Sequence, residues 1–327
     1  MSIKGRRVLL VALLLSIAAF SLFSLSIGSV AVDSPWSHIF DRSLSGASHE
    51  IIWEIRFPRV LAALLIGMAL GVAGALAQSA TNNPLADPSI IGTSAGAALG
   101  ATIAVVLNFA SIGSLAATIA AAIGALIASI VTFSLAKSAM QLVIVGIATS
   151  ALLSAVTGLA ISIADKPEAR SISFWSFGSL ALVNSNTVAL LAPAILLVSI
   201  AGWYFSQKLD LLALGDRGVS HLGISPQRLR LIAFLIISIL IAISVSTVGS
   251  IAFLALAAPH ITRFLIGPSN RPLMIGSAVI GAGLLLLADT AARTLAPPRE
   301  LPIGLITALI GAPILIAVLR KGAEVWK

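Results

Sequence analysis

The chain contains no cysteine, which excludes disulfides and all thiol chemistry. Charge is scarce as well: 10% of residues are Asp, Glu, Lys or Arg, against roughly 25% in ordinary soluble domains. No Gly-x-x-x-x-Gly-Lys-Ser/Thr stretch occurs, so the chain has no P-loop of its own for a nucleotide. Its four histidines, His38, His49, His221 and His260, are scattered rather than set at metal-ligand spacing. Cofactor fingerprints are missing too, and no nucleophile–base constellation is visible. These absences argue against an enzyme and predict no catalytic residue, no metal ligand and no cofactor held by this chain. ATP and Mg, if used, belong to a partner.

What is present is apolar. Hydrophobic residues make up 58% of the 327 positions and the mean hydropathy is +1.08, with runs near 20 residues recurring from end to end, as lipid-spanning helices require. The runs do not alternate as barrel strands would. The expected fold class is therefore an all-α polytopic membrane protein with about ten transmembrane helices, residues 1–327 forming one transmembrane domain. A net charge of +8 might be taken for a nucleic-acid surface, but the basic residues sit in short loops between apolar runs, where they set orientation; no nucleic-acid partner is expected, and the bilayer is.

Lys4, Arg6 and Arg7 precede a first apolar segment from about Val8 to Val32; its length exceeds the roughly 7 to 15 residues of a signal-peptide core, so it is read as an uncleaved span. Residues 33–55 form an interfacial loop with Trp36 and Trp53. The second span covers about 56–80 and is broken by Asn82-Asn83-Pro84. Asp87 followed by Pro88 has the form of an N-cap with proline at the first helical position, so the third span covers about 88–107. Further spans are expected near residues 115–136, 142–164, 187–205, 231–248, 250–266, 273–295 and 303–319. Between them lie a loop at 165–185 with a short amphipathic helix and a long polar segment at 208–230. Of the 20 Lys and Arg, 13 fall on the side of the N-terminus and seven on the other, which places both termini in the cytoplasm. Ile91-Gly92-Thr93-Ser94 and Ile275-Gly276-Ser277 form a faint internal echo, each expected to open a helix.

Several stretches carry a resemblance. RFPR at 56–59, GMALGVAGALAQ at 67–78, NNPLADPSIIGTSAGAALGA at 82–101, GSL at 178–180, LGDRGVSHLGIS at 214–225, APHITRFLIG at 258–267 and ADTAARTLAPPRELPIGLITALIGAP at 288–313 resemble, in order and over nearly the whole length, the iron-siderophore, haem and cobalamin (FecCD-like) permeases of ATP-binding-cassette importers. The resemblance implies the type II importer permease fold in a bacterial cytoplasmic membrane. It also implies a second permease subunit, identical or related, two ATP-binding subunits and an extracytoplasmic substrate-binding protein. A ferric siderophore is the expected cargo, with haem or a corrinoid as alternatives. The rival from another class is an ion-coupled secondary transporter, for which Asp289 is the one intramembrane acid on offer.

The same resemblance assigns roles that compete with plainer readings. Arg56, Arg59 and Arg293 either dock carboxylates of the binding protein or snorkel at the headgroups; Asp289, four residues before Arg293, has ion-pair spacing. Leu214, Gly215, Asp216, Arg217, His221, Leu222 and Gly223 form a coupling segment seated on an ATPase, or a helix lying on the membrane. Asn82, Asn83 and Pro84 stand near an inner mouth or make a simple turn. Ser138, Ala139 and Met140 match the family's inner gate. Gly92 and Gly96, with Gly67, Gly71 and Gly100, either pack helices or line a path. Trp175 belongs to an aromatic belt or to an outer vestibule.

Overall fold

The computed structural model describes residues 3–136 and 139–322, and among them every regular element is helical. Helix α1 (Ile3–Ser26) is followed by two short helices, α2 (Pro35–Phe40) and α3 (Ala47–Glu50). A π-helical turn, Ile51–Arg56, then leads without a break into α4 (Phe57–Thr81). A 3-10 turn (Pro88–Ile91) precedes α5 (Thr93–Val106), α6 (Leu115–Leu135) and α7 (Ala139–Ile163). The order continues with α8 (Lys166–Ser176), α9 (Ser185–Leu209), a 3-10 turn (Asp210–Leu214), α10 (Gly215–His221), α11 (Pro226–Val248), α12 (Leu254–Ile266), α13 (Asn270–Thr294) and α14 (Ile303–Gly322).

Seven of these are long and apolar enough to cross a membrane: α1, α4 with the turns before it, α6, α7, α9 with its extension, α11 and α13. Three apolar helices are shorter: α5, α12 and the Ile303–Pro313 part of α14. Local chemistry sets many of the starts. The side chains of Ser114, Asn184 and Ser225 accept from the backbone N–H groups of Ala117, Thr187 and Arg228 and so cap α6, α9 and α11. Asp87 accepts from Ser89 at 2.8 Å, with Pro88 at the first position. This cap opens the 3-10 turn; α5 itself starts at Thr93, after Gly92 turns the chain at φ 86°.

The core is built on α4, the most enclosed of the long helices, with α13 and α11 against it. Small residues decide this. A Cβ on Gly67 would collide with the carbonyl of Gly281, and one on Gly71 with that of Ser277, so α4 and α13 lie backbone to backbone along the GxxxG face. Gly96 and Gly100 of α5 meet Gly124 and Ala120 of α6 in the same way. The Gly67–Gly71 and Gly96–Gly100 faces are thus in close contact with neighbouring helices.

Several of the sequence expectations differ from the structure. Helix α1 ends at Ser26 rather than near Val32, because the chain turns at Gly28, where the Arg56 guanidinium lies so close that a Cβ would sit 3.0 Å from it. The loop expected over 33–55 is helical from Ala47 and continuous with α4. The eighth span does not begin at Ser250, since residues 249–253 are non-helical, with Gly249 at φ 76° and Phe253 at φ 62°. And the internal echo fails: Gly92 precedes a helix, whereas Gly276 lies inside α13.

The break at 249–253 is bounded by local bonds, Gly249 N–H to Val245 O at 2.8 Å on the α11 side and Leu254 N–H to Ala252 O at 2.8 Å on the α12 side, and other chain packs beside it. Ser179 N–H donates to Val248 O at 2.8 Å, Ile303 N–H to Gly178 O at 2.9 Å and Gly304 N–H to Phe177 O at 2.9 Å. The Gly178-Ser179-Leu180 stretch is therefore a joint between α8, α11 and α14.

Replacing Gly71 by Ala, which forces backbone apart, should cost about 1 to 3 kcal/mol and lower the melting temperature in detergent. Gly158→Ala is the control, because nothing lies within 4 Å of a Cβ there; equal melting of the two variants would show that the α4–α13 apposition is not close.

Candidate functional site

Two polar clusters stand at opposite ends of α4, separated by roughly 35 Å of helix from Arg59 to Asn82 at 1.5 Å per residue. At the first end are the three predicted arginines. All are buried: Arg56 and Arg59 are each 4% exposed and Arg293 is 2%. Asp289, with no exposed surface, lies between two of them. Arg59 Nε donates to Asp289 Oδ1 at 2.7 Å, and Arg293 Nε stands 3.1 Å from Oδ2. The second is a charge contact without hydrogen-bond alignment. Glu300, in the loop before α14, accepts from Arg59 Nη1 at 2.8 and 3.0 Å. Its side chain is 24% exposed.

The remaining guanidinium N–H groups cap the end of α1. Arg56 donates to Leu25 O at 2.8 Å and Val30 O at 2.6 Å. Arg293 donates to Ser24 Oγ at 2.7 Å, Ser24 O at 3.3 Å and Ile27 O at 3.1 Å. The Ser24 and Leu25 carbonyls are among those that a helix end leaves without intrahelical donors, and Ile27 and Val30 lie in the segment just after it. The arginines thus bind α1, α4, α13 and the α14 approach into one unit. Asp289 holds Arg293, as its spacing predicts, and Arg59 as well. Nothing in the sequence spacing pointed to Glu300, which lies 241 residues from its partner.

At the second end the chain leaves α4 through Asn82, in the left-handed region at φ 49°. Asn82 Nδ2 donates to Leu212 O at 2.7 Å, tying the helix end to the 3-10 turn before α10. Arg230, at the start of α11, donates through Nε to Ala80 O at 3.2 Å and through both terminal nitrogens to Asp216 at 2.9 and 2.7 Å. Ser79 Oγ donates to Asn270 Oδ1 at 2.5 Å, while Asn270 N–H donates to Asp210 Oδ1 at 3.3 Å. Arg263 reaches Gln78 Oε1 at 3.1 Å. Hydrogen bonding from Arg230 holds the Asp216 carboxyl below its ordinary value of 3.8. The contact is accordingly fully present above that value and is lost as pH falls through the depressed one.

The rest of α10 faces out. Leu214, Gly215, Asp216, Arg217, His221, Leu222 and Gly223 are all exposed, Leu214 by 61% and Leu222 by 56%, while Leu212 and Val219 are fully buried beneath them. The predicted coupling residues therefore form one surface on a fixed platform. Arg230 and Asp210, which hold it, were not foreseen as site residues, although both lie in the polar stretch of 208–230. Asn83 and Pro84 are exposed beside Asn82.

Trp175 is 5% exposed and packed in the core. Gly96 lines, with Gly100, Gly124 and Thr149, an open apolar groove of 770 Å³ between α5, α6 and α7. Gly92 lies near Thr132 and Thr149. Of the predicted gate, Ser138 lies outside the described residues, as do the side chains of Ala139 and Met140. Among the described residues no group of three or more potential metal ligands occurs.

A bundle of long apolar helices, closed at one end by buried ion pairs and carrying an exposed amphipathic segment at the other, defines a polytopic membrane permease. Residues 13–321 match the model of the FecCD transport family, and the chain belongs to that family of ABC importer permeases. It is 36% identical over 310 residues to the hemin transport system permease protein HmuU of Yersinia pestis, covering 89% of both chains. It is 35% identical over 298 residues to the iron(3+)-hydroxamate import system permease protein FhuB of Bacillus subtilis, covering 87% of this chain and 75% of that one. Among solved structures, an inward-facing conformation of a metal-chelate type ABC transporter superposes with a TM-score of 0.87 at 31% identity, covering 96% of this chain and 99% of the other.

Asp289→Asn leaves buried Arg293 without a carboxylate and Arg59 with Glu300 alone, and should destabilise by about 3 to 5 kcal/mol. Asp216→Asn, at a half-exposed pair, should cost no more than about 1 kcal/mol. Detergent melting curves of the two variants check the ranking; equal losses would mean that the Asp289 cluster is solvated.

Proposed function

We propose that the chain is the transmembrane permease of an ATP-driven importer that moves a metal chelate inward across the cytoplasmic membrane by alternating access, with a ferric siderophore as cargo. The observation that carries this reading is the pairing of two ends on one enclosed helix: a positively charged knot at one, an exposed α10 platform at the other. Ten crossings, with both termini in the cytoplasm, put α10 inside and the arginines outside, in keeping with the excess of Lys and Arg on the N-terminal side.

In this reading an extracytoplasmic binding protein approaches the arginine end, with Arg56, Arg59 and Arg293 providing the positive field that steers its carboxylates. Two ATP-binding subunits, holding ATP and Mg, each seat a copy of α10 from a pair of permeases. Leu214 and Leu222 supply the apolar anchors there, an exposure that suits a covered surface better than water. Movement of α10 reaches α4 through Asn82 and Arg230. A second permease covers α7, a long helix with much of its surface open, and the cargo passes between the two copies, with Asn82, Asn83, Pro84, Gly92, Ser138, Ala139, Met140 and Trp175 as the candidates for path or gate.

Haem is a second cargo reading, supported by the hemin permease standing at 36% identity beside 35% for the hydroxamate one. The ion-coupled alternative is disfavoured by Asp289, whose carboxylate is enclosed and held between two guanidiniums and so is a poor proton carrier.

In proteoliposomes holding the permease and its ATPase subunits, chelate uptake should require ATP and should be absent with a proton gradient alone; uptake driven by the gradient would overturn the importer reading. Leu214→Glu with Leu222→Glu should reduce ATP-driven uptake at least tenfold and release the ATPase from the purified assembly, since two anchors of roughly 1.5 to 3 kcal/mol each are lost. Intact coupling in that variant would move the ATPase contact elsewhere.

A further inference from the structure

The arginine end carries an imbalance of charge. Arg56, Arg59 and Arg293 supply three positive charges and Asp289 and Glu300 two negative ones, so five buried or half-buried groups sum to +1. Arg56 spends its two bonds on the carbonyls of Leu25 and Val30, neither of which cancels its charge. Uncompensated charge out of water is costly, and the cluster has room in its electrostatics for one more anion.

The two carboxylates differ in how they are held. Asp289 projects from α13 at the arginine end of the α4–α13 contact, has no exposed surface and touches two guanidiniums. Glu300 touches one, Arg59, and keeps a quarter of its side chain in solvent. Its neighbour Leu301 is fixed by its N–H to Ala292 O at 3.0 Å, and Ile303 by its N–H to Gly178 O at 2.9 Å. The Glu300 side chain can therefore rotate off Arg59 while the loop backbone stays where it is. Its other contact, from Ser29 Oγ, is long at 3.5 Å. Leaving would free the outer fork of Arg59 and raise the cluster to +2.

We propose that Glu300 is a resident substitute for a carboxylate of the extracytoplasmic partner: it occupies Arg59 in the undocked permease and is exchanged for the partner's carboxylate on docking. Asp289 stays and keeps the helices together, so docking alters one side chain and not the fold. The exchange keeps Arg59 paired in both states, avoids a bare buried cation between visits of the partner, and weakens capture by the strength of the bond that must be broken. This rests on the docking reading above.

The test measures capture of the binding protein by the complete permease–ATPase complex in nanodiscs, at low and high salt. Glu300→Gln, which keeps size but weakens the hold on Arg59, should tighten capture by about tenfold, the size expected for one charge-assisted hydrogen bond. Glu300→Asp, too short by one methylene to keep the contact, should tighten it as well and guards against a fold defect specific to the amide. The tightening should vanish against a binding protein whose lobe-surface carboxylates are changed to Gln. Unchanged or weaker capture by both Glu300 variants, with wild-type melting temperatures and with the neutralised partner still binding poorly, overturns the exchange while leaving docking intact. If neutralising the partner's carboxylates changes nothing for any permease, the docking reading itself fails.

Discussion

The approach of α4 to α13 conditions nearly everything else in this chain. Lipid gives apolar helices little reason to associate, so close backbone contact and buried polar bonds must hold them. Gly67 and Gly71 bring α4 against the carbonyls of α13. That closeness lets Asp289 reach both Arg59 and Arg293 at one end and lets Ser79 reach Asn270 at the other. Remove the glycine face and both polar clusters lose their geometry together. Each cluster in turn fixes a further element: the arginines cap the carbonyls of α1, and Asn82 with Arg230 fixes the turn before α10.

The two ends of this rod differ in chemistry. The arginine end is buried and charged, with Asp289 and Glu300 as its counter-ions. The α10 end is exposed and part apolar, with its charged pair Asp216–Arg230 half in water. Between them the helix interior is Ala, Gly, Val and Leu, which offers no polar stop along its length.

Seen through particular residues, the sequence was informative about elements and uneven about their partners. The apolar runs and the cap at Asp87 were legible because spans and caps are local. The Asp289–Arg293 pair was legible because four residues make one helical turn. By contrast, Arg56 reads equally well as a headgroup anchor; that it caps α1 from within the fold depends on Gly28, 28 residues earlier in the chain. The helix from Ala47 was missed because its polar, aromatic face resembles a loop, and the π-turn before Arg56 leaves no sequence mark. The break at 249–253 was underestimated because the chain packed against it, Trp175 beside Gly249 and Gly178 beside Ser250, lies far off in sequence.

The sequence by itself determined that this chain lives in lipid, which segments are apolar helices, and, through motifs spread over its length, to which family it belongs. These follow from composition and local order, and neither needs a partner in space. Tertiary structure alone decided who pairs with whom: that the three arginines are enclosed, that Glu300, from outside the spans, joins Asp289 in their set, and that the Gly67–Gly71 face lies on α13. Such choices depend on separations of up to 271 residues, where no periodicity carries information and only the packed backbone settles which groups meet.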